Sequence, residues 1–377
     1  MKIGLDVAQT SAQRAGCAWY ADAMARALVD AARPAGDSFV LYHQFGDWIN
    51  GEPGHGTYLT GQDIEMPMRS MLPVPARALW REIENGTATL PGKPDVVIAS
   101  SFHAPRVSPA KLIYVIHDLV FWTHPHFATD ATRVVCQREL GQAIAQGSAL
   151  AFVSDATKAD FESFLPGWLE SSKTPYVIAS GASRWPMHED TSPRDPDAPW
   201  LMVGSIEPRK NHACALDAYE IYHAGSPAPR PLHIVGGRGW HSDEIHERIA
   251  TMSATGLPVH YRGYVDERAL REAYQEAFAL LQPSWHEGFG LPVLEAFSQS
   301  LPVIASDCAS LPEVSGGAAI LCPPNSPTVW GENMLRLEQD IELQQRRVRD
   351  GLQRASDYSW EKTAKTVLEL ARELRVS

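Results

Sequence analysis

One stretch, residues 283–313 with the short run before it, narrows the folds open to this chain more than any other. The run 278–282 (Phe-Ala-Leu-Leu-Gln) is a short apolar segment of the kind that makes a buried strand. Gly288 and Gly290 make a compact loop, and Pro292 sits where a first-turn helix proline is favoured. Residues 302–306 read as a second strand that closes the unit. Strand, glycine loop, helix, strand is the repeating element of a parallel sheet with helices packed on its faces.

The same loop suits a phosphorylated ligand. Backbone N–H groups and the positive end of the helix point at whatever lies over residues 288–293, and the glycines let it approach closely. Glu287 and Glu295 flank this anion site with seven residues between them. A carboxylate beside a phosphate must bind something else, and an ionised carboxylate accepts strong hydrogen bonds from sugar hydroxyls. Taken singly, Glu295 would only complement a helix dipole and Glu287 would be a solvated loop residue. Their spacing around the glycine loop favours the ligand reading.

Length and composition set the frame. A chain of 377 residues is enough for two domains, each with its own core. Apolar residues make up 44% and charged residues 21%, which fits a globular enzyme, and no apolar run approaches the roughly 20 residues that span a bilayer. Residues 1–7 read as a strand rather than a signal peptide. The net charge of -12 argues against a general nucleic-acid binder. Cys17, Cys136, Cys214, Cys308 and Cys322 are odd in number and lack metal-ligand spacing, so they are expected to be reduced thiols in a cytoplasmic protein without a zinc site.

In chain order, a strand at 2–8, a small polar loop at 9–16 and a helix at 18–32 open a dinucleotide-type fold, without the three-glycine fingerprint of an NAD site. Residues 39–43, 95–99, 112–116 and 149–153 are further strand-length runs, and the glycine-rich stretch 46–61 reads as a long loop. His117 and Asp118 directly follow the run 112–116, and residues at carboxyl ends of strands in open α/β sheets face the ligand crevice. The competing reading is that the pair only shapes a turn. Ser154 caps the next helix. Between residues 66 and 81, Met66, Met68, Met71, Leu72, Val74, Leu79 and Trp80 alternate with Arg69, Arg77 and Arg81. This is either a core-facing segment with solvated arginines or a surface that meets a membrane or an acceptor.

The stretch 184–199, with four prolines among acidic and small residues, is the expected domain boundary. Strand and helix alternation restarts at 200–203 and runs into Gly204-Ser205-Ile206-Glu207-Pro208-Arg209-Lys210-Asn211. Two adjacent cations after a strand would neutralise charge growing on a leaving diphosphate, or else form a solvated turn. Strands at 232–235 and 259–265 follow, then an amphipathic helical region at 327–357 and a last helix at 360–375 with a one-sided apolar stripe.

The ordered set Glu287, Gly288-Phe289-Gly290-Leu291-Pro292, Val293 and Glu295 resembles the nucleotide-sugar motif of retaining GT-B glycosyltransferases, specifically glycosyltransferase family 4 (group 1). The resemblance implies an α/β fold of two facing Rossmann-like domains with a cleft between them. Residues 1–185 would be the acceptor domain, with the final helix 358–377 packed back on it, and 186–357 the nucleotide-sugar domain. It also implies a donor site of Gly16, Gly204, Arg209, Lys210, Gly263, Tyr264, Glu287, Gly288, Phe289, Gly290, Leu291, Val293 and Glu295. Gly263 and Tyr264 would meet the nucleotide base, and Gly16 the diphosphate. Catalytic roles would fall to His117, Asp118, Arg209, Lys210 and Glu287. Ser205 stands where many members carry an arginine, which Arg209 would replace.

The form Glu-Pro-Arg-Lys-Asn resembles bacterial mannosyltransferases of O-antigen and exopolysaccharide assembly. That implies transfer of a mannose- or rhamnose-type hexose from a GDP-sugar, with retention, without metal or cofactor, to a lipid-linked saccharide at the cytoplasmic face of the membrane. The alternatives are a UDP-sugar donor, an epimerase or phosphorylase of the same fold, and a non-catalytic sugar-nucleotide binder.

Overall fold

The computed structural model describes residues 1–11, 16–49, 56–190, 192 and 194–376. The expected loops 9–16 and 46–61 lie partly outside the described residues, as do two positions of the expected linker. The chain divides into two compact units, Met1–Gly181 with Ser359–Ser377, and Ala182–Tyr358. The expected breaks were 185/186 and 357/358.

The first unit holds a seven-stranded parallel sheet: β1 (Lys2–Asp6), β2 (Ser38–Tyr42), β3 (Ile64–Glu65), β4 (Val96–Ala99), β5 (Lys111–Ile116), β6 (Ala149–Phe152) and β7 (Tyr176–Ile178). The second holds six: β8 (Trp200–Val203), β9 (Leu232–Val235), β10 (Val259–Gly263), β11 (Ala279–Gln282), β12 (Val303–Ser306) and β13 (Ile320–Cys322). Strands such as Val96–Ala99 and Ala149–Phe152 are buried throughout, which is why they appear in the sequence as continuous apolar runs rather than alternating ones. β3 and β7 were not anticipated. One is two residues long and the other is a half-exposed edge, so neither carries a run that stands out.

The spatial orders are β3-β2-β1-β4-β5-β6-β7 and β10-β9-β8-β11-β12-β13. Each order reverses beside its first strand, between β1 and β4 and between β8 and β11. Such a switch point opens a crevice at the carboxyl ends of the strands, where ligands of doubly wound sheets bind. The glycine loop follows β11 and the Arg209-Lys210 turn follows β8, so the topology of the second unit brings these two segments to one place.

The last helix, Trp360–Val376, belongs to the first unit and packs on the helix Gly16–Ala32. Ala364, Val367, Leu368, Ala371 and Leu374 are its buried stripe, and Thr363 donates to the Ser180 carbonyl at 2.5 Å. Three regions take a more definite form than the sequence expectation. The region 327–357 is two helices, Pro327–Gln339 and Ile341–Ser356, because Asp340 stops the first and accepts from the Leu343 N–H to cap the second.

Residues 66–81 contain most of a twelve-residue helix, Pro73–Glu84. Its prolines fall in the first turn, where an N–H has no intrahelical partner to lose. Met68, Ala76 and Trp80 join the core, while Leu72, Val74, Arg77 and Arg81 remain exposed. The proline-rich stretch after 184 is not a free linker. Arg194 donates to the carbonyls of Gln275, Gln299 and Ser300, and the His188 N–H to that of Ser298, which straps the segment onto the second unit.

Candidate functional site

The turn after β8 is the short helix Pro208–Lys210, closed by Asn211 in the left-handed conformation at φ 55°. Asn211 fixes this turn against the neighbouring loop by donating from Nδ2 to the carbonyls of Pro283 and Pro324. Behind it the backbones of β8 and β9 run close together. A Cβ on Gly236 would lie 1.9 Å from the Gly204 carbonyl oxygen, so only glycine is accommodated.

Across from this turn, Glu287 is buried and gathers four donors. Its Oε1 accepts from Lys210 Nζ at 2.7 Å, Gln282 Nε2 at 2.8 Å and Ser284 Oγ at 2.6 Å. Its Oε2 accepts from Arg209 Nη1 at 2.7 Å. Burial pushes the Glu287 carboxyl up, but Lys210, Arg209 and Ser284 outweigh it and hold the group well below the usual carboxylate range. Arg209 is held on its other edge by Glu207, at 3.0 Å from Nε and 2.8 Å from Nη2, and donates to the His286 carbonyl at 2.9 Å. Ser205 Oγ donates to the far oxygen of Glu207 at 2.8 Å.

The sequence expected two cations poised for a ligand. The structure places both already paired, Arg209 between Glu207 and Glu287 and Lys210 on Glu287. Two cations and two carboxylates make a neutral cluster of fixed geometry, in which no side chain must be reoriented to present positive charge. That is the preorganised arrangement that stabilises developing anionic charge.

The glycine loop ends at Gly290, whose φ of 105° leads into the helix Leu291–Ser298. Ser310 Oγ lies 2.8 Å from the Glu287 carbonyl and 2.7 Å from that of Phe289, fixing the loop from behind. Phe289 is buried and packs edge-on to Tyr358. Among the described residues, the N–H groups of Phe289, Gly290 and Leu291 have no hydrogen-bond partner, whereas that of Val293 is taken by the Gly290 carbonyl. The anion-binding stretch is therefore shorter than the sequence expectation of 288–293.

Glu295 is a further correction. The sequence placed it beside the anion site at the start of the helix, but it lies in the second turn and is only 1% exposed. Arg184 Nε donates to Oε1 at 2.6 Å and Tyr274 Oη to Oε2 at 2.9 Å, so both carboxylate oxygens are occupied. Gly263 ends β10 and Tyr264 is 46% exposed beside it.

In the first unit, Gly16 opens the helix Gly16–Ala32. His117 follows β5, is buried, and donates from Nε2 to the Ser100 carbonyl at 2.7 Å. Burial works against its charge, but Cys17, the Ser100 carbonyl and Asp118 lift it to about 9. Asp118 accepts from the Val120 N–H at 3.1 Å, the turn-forming contact that was the competing sequence reading.

Glu207, Gln282, Ser284, Ser310, Tyr274 and Arg184 are the members of these networks that sequence reasoning missed. Gln282 and Ser284 close a strand end and could have been suspected on that ground. Arg184 stands 111 residues from Glu295 and gives no local signal.

Residues 199–340 match the family model described as Glycosyl transferases group 1. This stretch is a glycosyltransferase domain. The glycosyltransferase domain contains the Arg209-Lys210 turn, Glu287, the glycine loop and Glu295, while Gly16, His117 and Asp118 lie outside the match. The chain is 36% identical over 161 residues to the O-antigen chain mannosyltransferase B of Escherichia coli, covering 43% of this chain and 42% of that one. The chain thus matches less than half the length of that relative.

Two solved structures share the fold across the whole chain. Sucrose-phosphate synthase from Thermosynechococcus elongatus aligns with a TM-score of 0.67 at 18% identity, over 99% of this chain and 98% of the other. WaaG, a glycosyltransferase involved in lipopolysaccharide biosynthesis, aligns with a TM-score of 0.63 at 14% identity, over 98% and 99%. The two parallel-sheet units are Rossmann-like and of the GT-B class.

Proposed function

We propose that this protein transfers a hexose from a nucleoside-diphosphate sugar to a saccharide acceptor with retention of configuration. The observation that carries the reading is the Glu287–Arg209–Lys210 cluster beside the N–H groups of Phe289, Gly290 and Leu291. As the bond from the anomeric carbon to the diphosphate oxygen breaks, charge grows on the diphosphate, and the cations and loop N–H groups meet it there. The acceptor oxygen bonds to the anomeric carbon on the same face, and its proton passes to the leaving phosphate oxygen. Glu287 takes a sugar hydroxyl in place of one of its present donors. Glu295 takes the ribose on release from Arg184. His117 and Asp118 keep the sugar and acceptor roles that the family resemblance implies.

In this reading Arg209, Lys210 and the loop N–H groups meet the diphosphate, and the transfer is metal- and cofactor-independent. The donor is a GDP-sugar of mannose or rhamnose type, a choice supported by the named activity of the Escherichia coli mannosyltransferase relative. The acceptor is a lipid-linked saccharide. Among the described residues no helix is long and apolar enough to cross a membrane, and the exposed Leu72, Val74, Arg77 and Arg81 are the surface through which the protein would meet one.

A panel of nucleotide sugars, scored for thermal stabilisation, hydrolysis and transfer, tests this. A bound donor at a hundredfold excess over its Kd should stabilise the fold by about 2.7 kcal/mol. Stronger stabilisation by UDP-sugars overturns the donor choice. Dependence on inorganic phosphate, or epimerised donor without transfer, points to the other enzymes of this fold. Binding with neither transfer nor hydrolysis leaves a sugar-nucleotide binder.

A further inference from the structure

Glu207 stands directly before the Pro208–Lys210 turn, and the transfer chemistry above makes no use of it. Its side chain is buried, and the loop after β9 packs against it. The Gly239 N–H donates to the Ile206 carbonyl at 3.1 Å, and a Cβ on Gly239 would stand 2.6 Å from that carbonyl oxygen and 3.1 Å from the Glu207 Cβ. Only a residue without a side chain lets the loop lie this close.

Both Glu207 oxygens are occupied. Oε1 accepts from Arg209 Nε at 3.0 Å and from Nη2 at 2.8 Å, and Oε2 accepts from Ser205 Oγ at 2.8 Å. Arg209 Nη1 donates to Glu287 and to the His286 carbonyl, so all three guanidinium nitrogens are held within the protein. Arg209 and Lys210 with Glu287 alone would carry one net positive charge. Glu207 brings the sum to zero.

That difference matters most at the end of the reaction. The diphosphate leaves with the acceptor's proton, loses it to water near neutral pH, and then carries one negative charge more than the donor did. A turn with net positive charge would hold this product more tightly than the donor. Resting on the diphosphate reading above, we infer that Glu207 is a positioning residue acting through Arg209: it aims the guanidinium and balances its charge, so that the nucleoside diphosphate product is released rather than retained.

The two contributions are separable, because both Arg209 contacts fall on one oxygen. In Glu207→Gln the amide oxygen at the Oε1 position keeps both of them. The amide nitrogen at the Oε2 position donates to Ser205 Oγ, whose hydroxyl is free to rotate into an accepting orientation. The hydrogen bonds survive and the charge is gone.

The test is calorimetric binding of GDP, UDP and their nucleotide sugars to the parent, Glu207→Gln and Glu207→Asp, with donor turnover measured in the first turnover and at steady state. Glu207→Gln should tighten the Kd of the diphosphate that the parent binds by about tenfold, and that of the intact donor by less, in line with their charges. Release then becomes slow, so steady-state turnover should fall below the first-turnover rate as a burst. Glu207→Asp keeps the charge and should stay within about threefold of the parent Kd. Equal or weaker diphosphate binding by Glu207→Gln overturns the proposal, since a purely structural role would only loosen Arg209. So does a tightening that Glu207→Asp shares. A parent that binds neither GDP nor UDP fails the diphosphate reading itself, and this proposal falls with it.

Discussion

Asp6 in the first unit and Glu287 in the second are both buried carboxylates at the carboxyl side of a central strand, next to the place where strand order reverses. They are held in opposite ways. Asp6 accepts backbone N–H groups, from Ala8 at 3.1 Å and from Ser100 and Ser101 at 3.1 and 2.7 Å. Burial dominates there and pushes its carboxyl up from the ordinary value. Glu287 is buried as well, but Lys210 and Arg209 pull it down. Neutral donors orient a buried carboxylate without offsetting the cost of its charge, whereas cations offset it. Asp6 thus stitches β1 to β4, and Glu287 keeps two cations in place.

The largest test of that contrast is stability. Glu287→Gln leaves the half-buried Arg209 and Lys210 without their shared counter-charge, and denaturant unfolding should show a loss of about 3–5 kcal/mol. Asp6→Asn keeps the shape and sacrifices part of the acceptor capacity, for a loss of about 1–3 kcal/mol. If Asp6→Asn proves the costlier of the two, the cation pairing of Glu287 is not what separates the sites.

Next in size is catalysis. Arg209→Ala and Lys210→Ala should each lower turnover about a hundredfold or more, with a smaller change in donor affinity, because they act on charge that develops as the bond breaks. Near-normal turnover in both variants removes the electrostatic role. Glu287→Gln should cut transfer yet spare free-nucleotide affinity in calorimetry. Glu295→Gln should weaken free nucleotide by roughly 1.5–3 kcal/mol if the carboxylate leaves Arg184 for a ribose. Unchanged affinity would mean that Glu295 only anchors Arg184 and Tyr274.

The titrations of the two carboxylates should part in direction. By carboxyl ¹³C NMR, Asp6 should titrate above the ordinary aspartate value of 3.8 and Glu287 below the ordinary glutamate value of 4.5. The signs for stability follow. Glu287, with its folded value depressed, contributes stability above 4.5 that is lost as pH falls through the folded value. Asp6, with its folded value raised, contributes only in acid, and that contribution is lost as pH rises from 3.8 through the folded value.

The smallest expected effect concerns the first unit's surface. Replacing Arg69, Arg77 and Arg81 by glutamine should weaken association with anionic liposomes by about 1 kcal/mol per charge near the membrane, in a salt-dependent way. Salt-independent association would remove the membrane reading of Leu72 and Val74.

Much of this protein was legible without coordinates. The runs that became β4, β6 and β8 stand out because strands buried on both faces are apolar along their length. The glycine loop, Glu287 and the Arg209-Lys210 turn were also readable, since each lies within a few residues of a strand end. The apolar stripe of the last helix was plain as well, and its one-sidedness required a partner.

What the sequence withheld is pairing over distance. Nothing local to residues 205–210 says that both cations are bound by carboxylates, and nothing near residue 295 says that an arginine from the expected linker occupies it. A hydrogen bond between distant segments depends on which strands become neighbours, and the order of strands in a sheet is a property of the packed core. The sequence by itself determined the elements and the chemical character of their ends. Only the tertiary structure decided which ends meet, and hence which charges are free and which are already held.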